Sequence, residues 1–231
     1  MKKVTVCSNM RNEINQVEKW YACFSKIADG GMIIVDTFST DGTFEFFQNK
    51  PNVIVLQNTI IQTEGYGPAR TQLRELAKQH FPDSQWACYF DADESISEDE
   101  FHTFKWIKDY LTLDYDVVAF PRIDWFDREM TKAANDYRYS PDWQARMSRL
   151  GSPIQYVRKL HEQVTGHKSI YCNLSTPKIN HFHRDASVKE KRSGLGKLCA
   201  KLHMEDEIYG ATYPEHESEQ KYRELYLKEG L

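Results

Sequence analysis

Short runs of β-branched and aromatic residues alternate with segments of helical period through the first half of the chain. This alternation restricts the fold more than any other feature of the sequence. KVTVC (Lys3–Cys7), MIIVD (Met32–Asp36), NVIVL (Asn52–Leu56), WACYFD (Trp86–Asp91) and DVVAF (Asp116–Phe120) read as strands. Between them, Ile14, Val17, Tyr21, Phe24 and Ala28 recur at helical spacing until Gly30-Gly31 ends the helix, and DGTFEFFQN is a shorter helical piece. GYGPARTQLRELAKQHF opens on Gly65, Gly67 and Pro68, a good helix start, and puts Ala69, Leu73, Leu76 and Ala77 on one face; EDEFHTFKWIKDYL (Glu98–Leu111) is a further helix. Strands linked through helices by short connections run parallel, so an α/β, doubly wound sheet is expected.

The pattern changes after Pro121. Up to about His183 the chain is rich in aromatic residues, Arg, Pro and Gly, with strand-like pieces such as QARMSRL and KSIYC and no long helical period. A small antiparallel add-on with long loops is expected there. Leu195, Leu198, Cys199 and Leu202 then mark an amphipathic helix, and EHESEQKYRELYLKEGL a charged helical tail. The expected organisation is one domain over 1–185, made of halves 1–120 and 121–185, followed by a helical extension over 186–231 through which oligomers are possible.

A chain of 231 residues, 40% hydrophobic and 13% aromatic, buries a proper core and is not disordered. A net charge of -4 supplies no basic field for a nucleic-acid backbone, so no nucleic-acid partner is expected. The cysteines, Cys7, Cys23, Cys88, Cys172 and Cys199, are scattered singly with no Cys-x-x-Cys pair, and read as small buried hydrophobes in a reducing compartment. The apolar run in MKKVTVCSNMRNE is too short for a signal-peptide core, and no later run approaches membrane-span length. A cytoplasmic protein without a membrane span is expected.

Ligands of open α/β sheets gather at the carboxyl ends of the strands, where this chain carries SNMRNE (Ser8–Glu13), DTFSTDGT (Asp36–Thr43), EGYGPAR (Glu64–Arg70) and DADE (Asp91–Glu94). Asp91-Ala92-Asp93 has the spacing that lets carboxylates share one divalent cation, and oxygen ligands suit Mg²⁺ or Mn²⁺ better than zinc. As purely structural residues the same carboxylates would cap the following helix. Their position after a buried strand favours the metal. Asp36 ends a strand, where an acceptor can take hydrogen bonds from a nucleobase or ribose, whereas Ser39 to Thr43 read as an ordinary capped turn. The glycine-flanked start of GYGPAR would offer backbone N–H groups to an anion, with Arg70 adding a fork for phosphate, unless Arg70 is merely an exposed helix residue.

In this order and at these distances, KVTVCSNMRNE, IIVDTFSTDGT, GYGPARTQ and YFDADE resemble the nucleotide-sugar-binding half of family 2 glycosyltransferases, which have the GT-A fold. PDWQARMSR and KLHEQVTG are similar to blocks in the branch that includes lipopolysaccharide-core and viral or phage sugar transferases. The resemblance covers about Lys3 to His183. It implies a metal-dependent, inverting enzyme that moves a sugar from a nucleoside-diphosphate sugar, UDP-sugar favoured, to a hydroxyl of a glycan, lipid-linked or protein acceptor. By position, Asn12 and Glu13 would line the nucleoside pocket, Asp36 would bind base or ribose, and Arg70 would sit by the diphosphate. Asp91 and Ala92 would face ribose and sugar, and Asp93 would hold the Mn²⁺ or Mg²⁺ that bridges the diphosphate. Two positions depart from the family pattern: Thr37 stands where a second aspartate is frequent, and Arg11 where an aromatic residue often lies near the base.

Inverting transfer also needs a carboxylate to take the acceptor's proton. Glu162 in KLHEQV is the first candidate, by likeness to similar enzymes; Asp142 in SPDWQAR and Asp124 in PRIDWFD are the alternatives, and each is otherwise a surface ion pair. His181 and His183 fall on one side of an extended NHFHRD, where a late histidine completes the metal's ligands in some relatives; the plain alternative is a buried hydrogen-bonding histidine. Trp125, Phe126, Tyr137, Tyr139 and Trp143 would stack on acceptor sugars or form the core of the add-on. Two rival functions are considered. A sugar-phosphate nucleotidyltransferase needs a glycine-rich loop after the first strand, where this chain reads CSNMRNE. An inactive sugar-binding module would have no reason to keep Asp36, Arg70, Asp91 and Asp93 together.

Overall fold

The computed structural model describes residues 1–134 and 141–182, together with Leu198, Lys201, Leu202 and Glu205. His183, Tyr137, Tyr139 and most of the expected C-terminal extension lie outside these residues. The elements in chain order are β1 (Lys3–Met10), α1 (Ile14–Phe24), β2 (Gly31–Asp36), α2 (Thr43–Gln48), β3 (Val53–Gln57), α3 (Ile60–Glu64), α4 (Tyr66–His80), β4 (Ser84–Tyr89), β5 (Glu94–Ser95), α5 (Phe101–Tyr110), β6 (Val117–Asp124), β7 (Asp142–Arg149), β8 (Gln155–Val157), β9 (Gln163–Thr165), β10 (Ile170–Cys172) and β11 (Ile179–His181). The main sheet runs β3-β2-β1-β4-β7-β6-β11-β5, with β10 also on β6, and β8 and β9 form a separate antiparallel pair.

The strands of the first half pair in parallel, as their helical connections require. Alternation along β1 sends Val4 and Val6 to one face and Cys7 to the other. The first face is closed by α1, α2 and α5 through Trp20, Phe24, Phe47 and Phe104, packed on Trp86, Cys88 and Phe90. The second is closed by α4 through Leu73 and Ala77, with Ile154 and Tyr156 from the β8 region. Both faces are dry, so the strands read as continuous apolar runs.

The expected small antiparallel unit is present in the second half, but it is made of other strands than those the sequence suggested. The segment DWQARMSR does not stand apart. It enters the main sheet as β7, antiparallel to both β4 and β6, with Met147 opposite Cys88 on one side and Val118 on the other. The small antiparallel pair is β8–β9 instead. Physically, the edge of β4 would expose unpaired N–H and C=O groups beside Trp86 and Cys88, and an antiparallel strand from the later chain closes it. β6 also runs past the expected Phe120 to Asp124, through Pro121. That proline is tolerated because β10 pairs only with Val117 to Ala119 and β11 only with Arg122 to Asp124, leaving Pro121 between them. No helix among the described residues is long and apolar enough to cross a membrane.

The two glycines at the start of α4 serve close packing. The N–H groups of Tyr66 and Gly67 donate to the carbonyls of Lys159 (2.8 Å) and Arg158 (3.0 Å), so the segment between β8 and β9 lies directly on the helix start. A Cβ at Gly67 would come within 2.5 Å of the Val157 carbonyl, and one at Gly65 would meet Lys159 backbone. Gly67→Ala is expected to cost about 1–3 kcal/mol through overpacking, read as a lower urea midpoint, whereas Gly151→Ala, where an added Cβ meets nothing within 4 Å, leaves the midpoint unchanged.

Candidate functional site

A cleft of about 970 Å³ opens where the strands of the first half end. The β1–α1 connection supplies Arg11, Asn12 and Glu13, β2 leads to Thr37, α4 gives Arg70, and the turn after β4 gives Asp91, Ala92 and Asp93. The second half contributes Arg122, Arg146, Tyr156, Glu162 and His181 to the same cleft. Of the residues singled out in the sequence, Asn12, Glu13, Arg70, Asp91, Ala92, Asp93, Glu162 and His181 are thus brought together. Asp36, Asp124 and Asp142 do not line the cleft, and His183 lies outside the described residues.

The wall formed by the connections after β1 and β2 is held by loop-to-loop bonding. Asp36 is fully buried, and its carboxylate accepts from the Ser39 N–H (2.9 Å), from the Ser39 hydroxyl and from Gln57 Nε2 (3.0 Å). It therefore works from beneath, fixing the loop that carries Thr37. The Ser39 hydroxyl in turn accepts the Asn12 N–H at 2.8 Å, and Asn12 Oδ1 accepts the Thr40 N–H at 2.8 Å. Asn12 takes a left-handed backbone, φ 54°, which asparagine tolerates better than most residues. Asp41 bonds the N–H groups of Thr43 and Ile14, the ordinary turn role expected for this stretch.

The acidic turn is built on a buried arginine. Arg146 of β7 is 2% exposed, and its Nη2 donates to Asp91 Oδ2 (2.7 Å) and Glu94 Oε1 (2.6 Å). Glu94, itself buried, accepts the Asp91 N–H at 2.9 Å with its other oxygen. Glu94 is therefore the brace of the turn. Burial would raise the Asp91 pKa, but Arg146 and Arg70 outweigh it and hold Asp91 below the usual carboxylate range; for Glu94 burial prevails and the pKa is raised.

Asp93 faces a histidine. His181 Nδ1 lies 2.7 Å from Asp124 Oδ1, and its Nε2 lies 3.4 Å from Asp93 Oδ2. Burial lowers the histidine's pKa, but its bonds to Asp124 and Asp93 prevail and push it up to about 9. Asp93 is correspondingly lowered, its burial outweighed by His181. Among the described residues no group of three or more His, Cys, Asp or Glu side chains is already gathered as a metal site.

Arg70 sits between two carboxylates. Its Nη1 forms an ion pair with Glu162 and its Nη2 lies 3.9 Å from Asp91 Oδ1. The guanidinium also rests on the rings of Tyr89 and Tyr156, at 5.7 and 5.5 Å. Contrary to expectation, the helix start ahead of Arg70 offers no free N–H groups to an anion at Tyr66, Gly67 or Pro68. The Tyr66 and Gly67 donors are taken by Lys159 and Arg158, and Pro68 has none. Asp142 is drawn off into a pair with Arg122 (2.6 Å) and a bond from Gln144 (2.7 Å).

No family model matches the chain, and no curated protein sequence does. Among solved structures, the chain overlays on S. aureus TarS 1–349 with a TM-score of 0.53 at 15% identity, over 87% of this chain and 65% of that one. The fold is that of the GT-A glycosyltransferases. The chain spans about two thirds of the TarS chain's length. Looser overlays are found with mannosyl-3-phosphoglycerate synthase from Rubrobacter xylanophilus (TM-score 0.40, 14% identity, 52% of this chain and 40% of that one) and with GalNAc-T7 solved with UDP, GalNAc and Mn²⁺ (TM-score 0.43, 12% identity, 97% and 54%).

Sequence reasoning missed Arg146, Tyr156 and Arg122. An arginine inside the strand pattern QARMSR was the available signal, but its role depends on β7 lying beside β4. Arg146→Met strands Asp91 and Glu94 and is expected to cost about 3–5 kcal/mol in urea unfolding at neutral pH. Adding Glu94→Gln to that variant should recover part of the loss, and strictly additive costs in the double-mutant cycle would show that the pair does not interact.

Proposed function

We propose that the chain is an inverting glycosyltransferase that moves a sugar from a nucleoside-diphosphate sugar, UDP-sugar favoured, to a hydroxyl of a glycan, lipid-linked or protein acceptor. The observation that carries this reading is the meeting of Arg70, Asp91, Asp93 and Glu162 in one cleft of a GT-A fold. Residues 1–120 form its donor half and 121–185 its acceptor half, with Trp143 a candidate to stack on an acceptor sugar. A cytoplasmic setting fits the described cysteines, which are all free thiols: Cys7 and Cys88 are buried, Cys23 is half-buried and Cys172 is exposed.

In this reading Asn12, Glu13 and Thr37 hold the nucleoside, with Asp36 keeping their loop in place. Arg70 pairs with the diphosphate, and Asp91 orients the ribose and sugar against the buried Arg146. Asp93 would hold a divalent cation through a carboxylate oxygen, and His181 would add a nitrogen ligand once its Nε2 proton is displaced, a donor set that suits Mn²⁺, while the carboxylate alone suits Mg²⁺. When bound, such a cation neutralises charge that develops on the leaving group. Glu162 takes the proton from the acceptor hydroxyl as its oxygen bonds to the anomeric carbon. The anomeric carbon–oxygen bond breaks with its electron pair leaving on the nucleoside diphosphate. Attack from the side opposite the diphosphate inverts the anomeric centre.

A thermal-shift screen over UDP-, GDP- and dTDP-sugars with Mn²⁺ or Mg²⁺ should raise the melting temperature with at least one donor, stabilising by about 2.7 kcal/mol at a hundredfold excess over Kd; no shift with any donor overturns the reading. In the same assay Asp93→Asn should abolish the metal-dependent part of the shift. If Asp93 serves only as the structural partner of His181, the variant would lose stability and keep the metal-dependent shift.

Glu162→Gln should lower the transfer rate by about 10²–10⁴-fold while the protein stays folded. Transfer kept near the wild-type rate would rule out Glu162 as the base.

A further inference from the structure

Glu162 has to present a lone pair to the acceptor hydroxyl, yet its carboxylate is already engaged. Arg70 Nη1 holds Glu162 Oε1, with the two side chains 10% and 18% exposed. We infer that Arg70 masks Glu162 until the diphosphate of the donor draws the guanidinium away, so that the base becomes available only once the donor is in place. This rests on the reading of Arg70 as a diphosphate contact and Glu162 as the base.

Several features make the arginine the mobile partner and the carboxylate the fixed one. Glu162 follows a loop tied down at many points: Lys159 and Arg158 accept the N–H groups of Tyr66 and Gly67, and Leu160 is buried against Leu202 and Tyr66. Lys159 also pairs with Glu205 at 2.7 Å. Within this loop Arg158 and His161 hold left-handed backbones, φ 73° and 52°, which persist only where surrounding contacts impose them. Arg70 has a different footing. Its guanidinium lies on an aromatic seat made by Tyr89 and Tyr156, whose rings meet edge-on at 5.1 Å. A flat ring surface supports the cation in more than one orientation, because cation–π attraction is weakly directional compared with a hydrogen bond. Its second carboxylate neighbour, Asp91, is 3.9 Å away and already serves Arg146. Glu162 is therefore the principal contact to be broken. A diphosphate, with more negative charge and several acceptor oxygens, competes well for the guanidinium fork.

The cost of this arrangement is visible in binding. Breaking the Arg70–Glu162 pair opposes nucleotide binding in the wild type and is absent once Glu162 is neutral. Isothermal titration with UDP, GDP and dTDP in the presence of Mn²⁺ should therefore show Glu162→Gln binding its nucleotide about tenfold more tightly than the wild type, and Glu162→Ala tighter as well. Arg70→Met should weaken the nucleotide, and Glu162→Gln added to it should change affinity no further. Unchanged or weaker binding in both Glu162 variants overturns the mask, even if transfer is lost and Glu162 stands as the base. Tighter binding with transfer retained overturns Glu162 as the base. If no nucleotide binds the wild type, the donor reading falls and the mask with it.

Discussion

The site depends on one buried guanidinium. Arg146 comes from the strand inserted between β4 and β6, and a single nitrogen of it reaches both Asp91 and Glu94. Without that cation the turn after β4 would have to bury Glu94 and hold Asp91 close by with nothing to offset their charge. The aspartates would then be free to swing into solvent. With it, the turn has a fixed shape, and Asp93 two residues on is directed toward His181. A buried ion pair of this kind is weak evidence for net stability, because desolvation consumes most of the Coulomb gain. Its effect is to select one geometry for the acidic turn.

A second constraint binds the two halves together. The glycines of α4 let the 157–162 segment approach the helix start, and that approach carries Glu162 to Arg70. Arg70 and Glu162 therefore owe their meeting to residues that lack side chains. This explains why the start of α4 holds no anion-binding donors: the N–H groups that would serve a phosphate are used to dock the loop. Of the groups at this helix start, the Arg70 side chain is the cation that faces the cleft.

How much of this was legible in the sequence follows from the range of each interaction. The parallel strands and their helices were readable because periodicity and helix-stop glycines are local, and the ends of those strands led directly to Asp91, Asp93 and Arg70. The position of β7 was not readable, because a strand pattern states its two faces and not its neighbours; DWQARMSR looks the same at an outer edge or in the middle of a sheet. Arg146 was missed for that reason, and Tyr156 because its strand, β8, packs on α4, a contact that no local pattern states. Asp36 shows a different limit. Its place at a strand end was read correctly, but only coordinates reveal that its oxygens are already taken by Ser39 and Gln57. Glu94, left without a role in the sequence, acquires one as soon as Arg146 lies beneath it.

The pairing of charges also bears on how an anionic ligand could enter. Arg70 is matched by Glu162, Arg146 by Asp91 and Glu94, Arg122 by Asp142, and His181 by Asp93 and Asp124. A dianionic group arriving in such a cleft must either separate one of these pairs or bring a cation of its own. The buried Arg146 is the worst pair to open, since it would strand two carboxylates. The Arg70–Glu162 and His181–Asp93 contacts face the cleft and leave each partner reachable by solvent or ligand. The cleft thus has two ion pairs, Arg70–Glu162 and His181–Asp93, at which incoming negative charge could be answered without opening the Arg146 pairs.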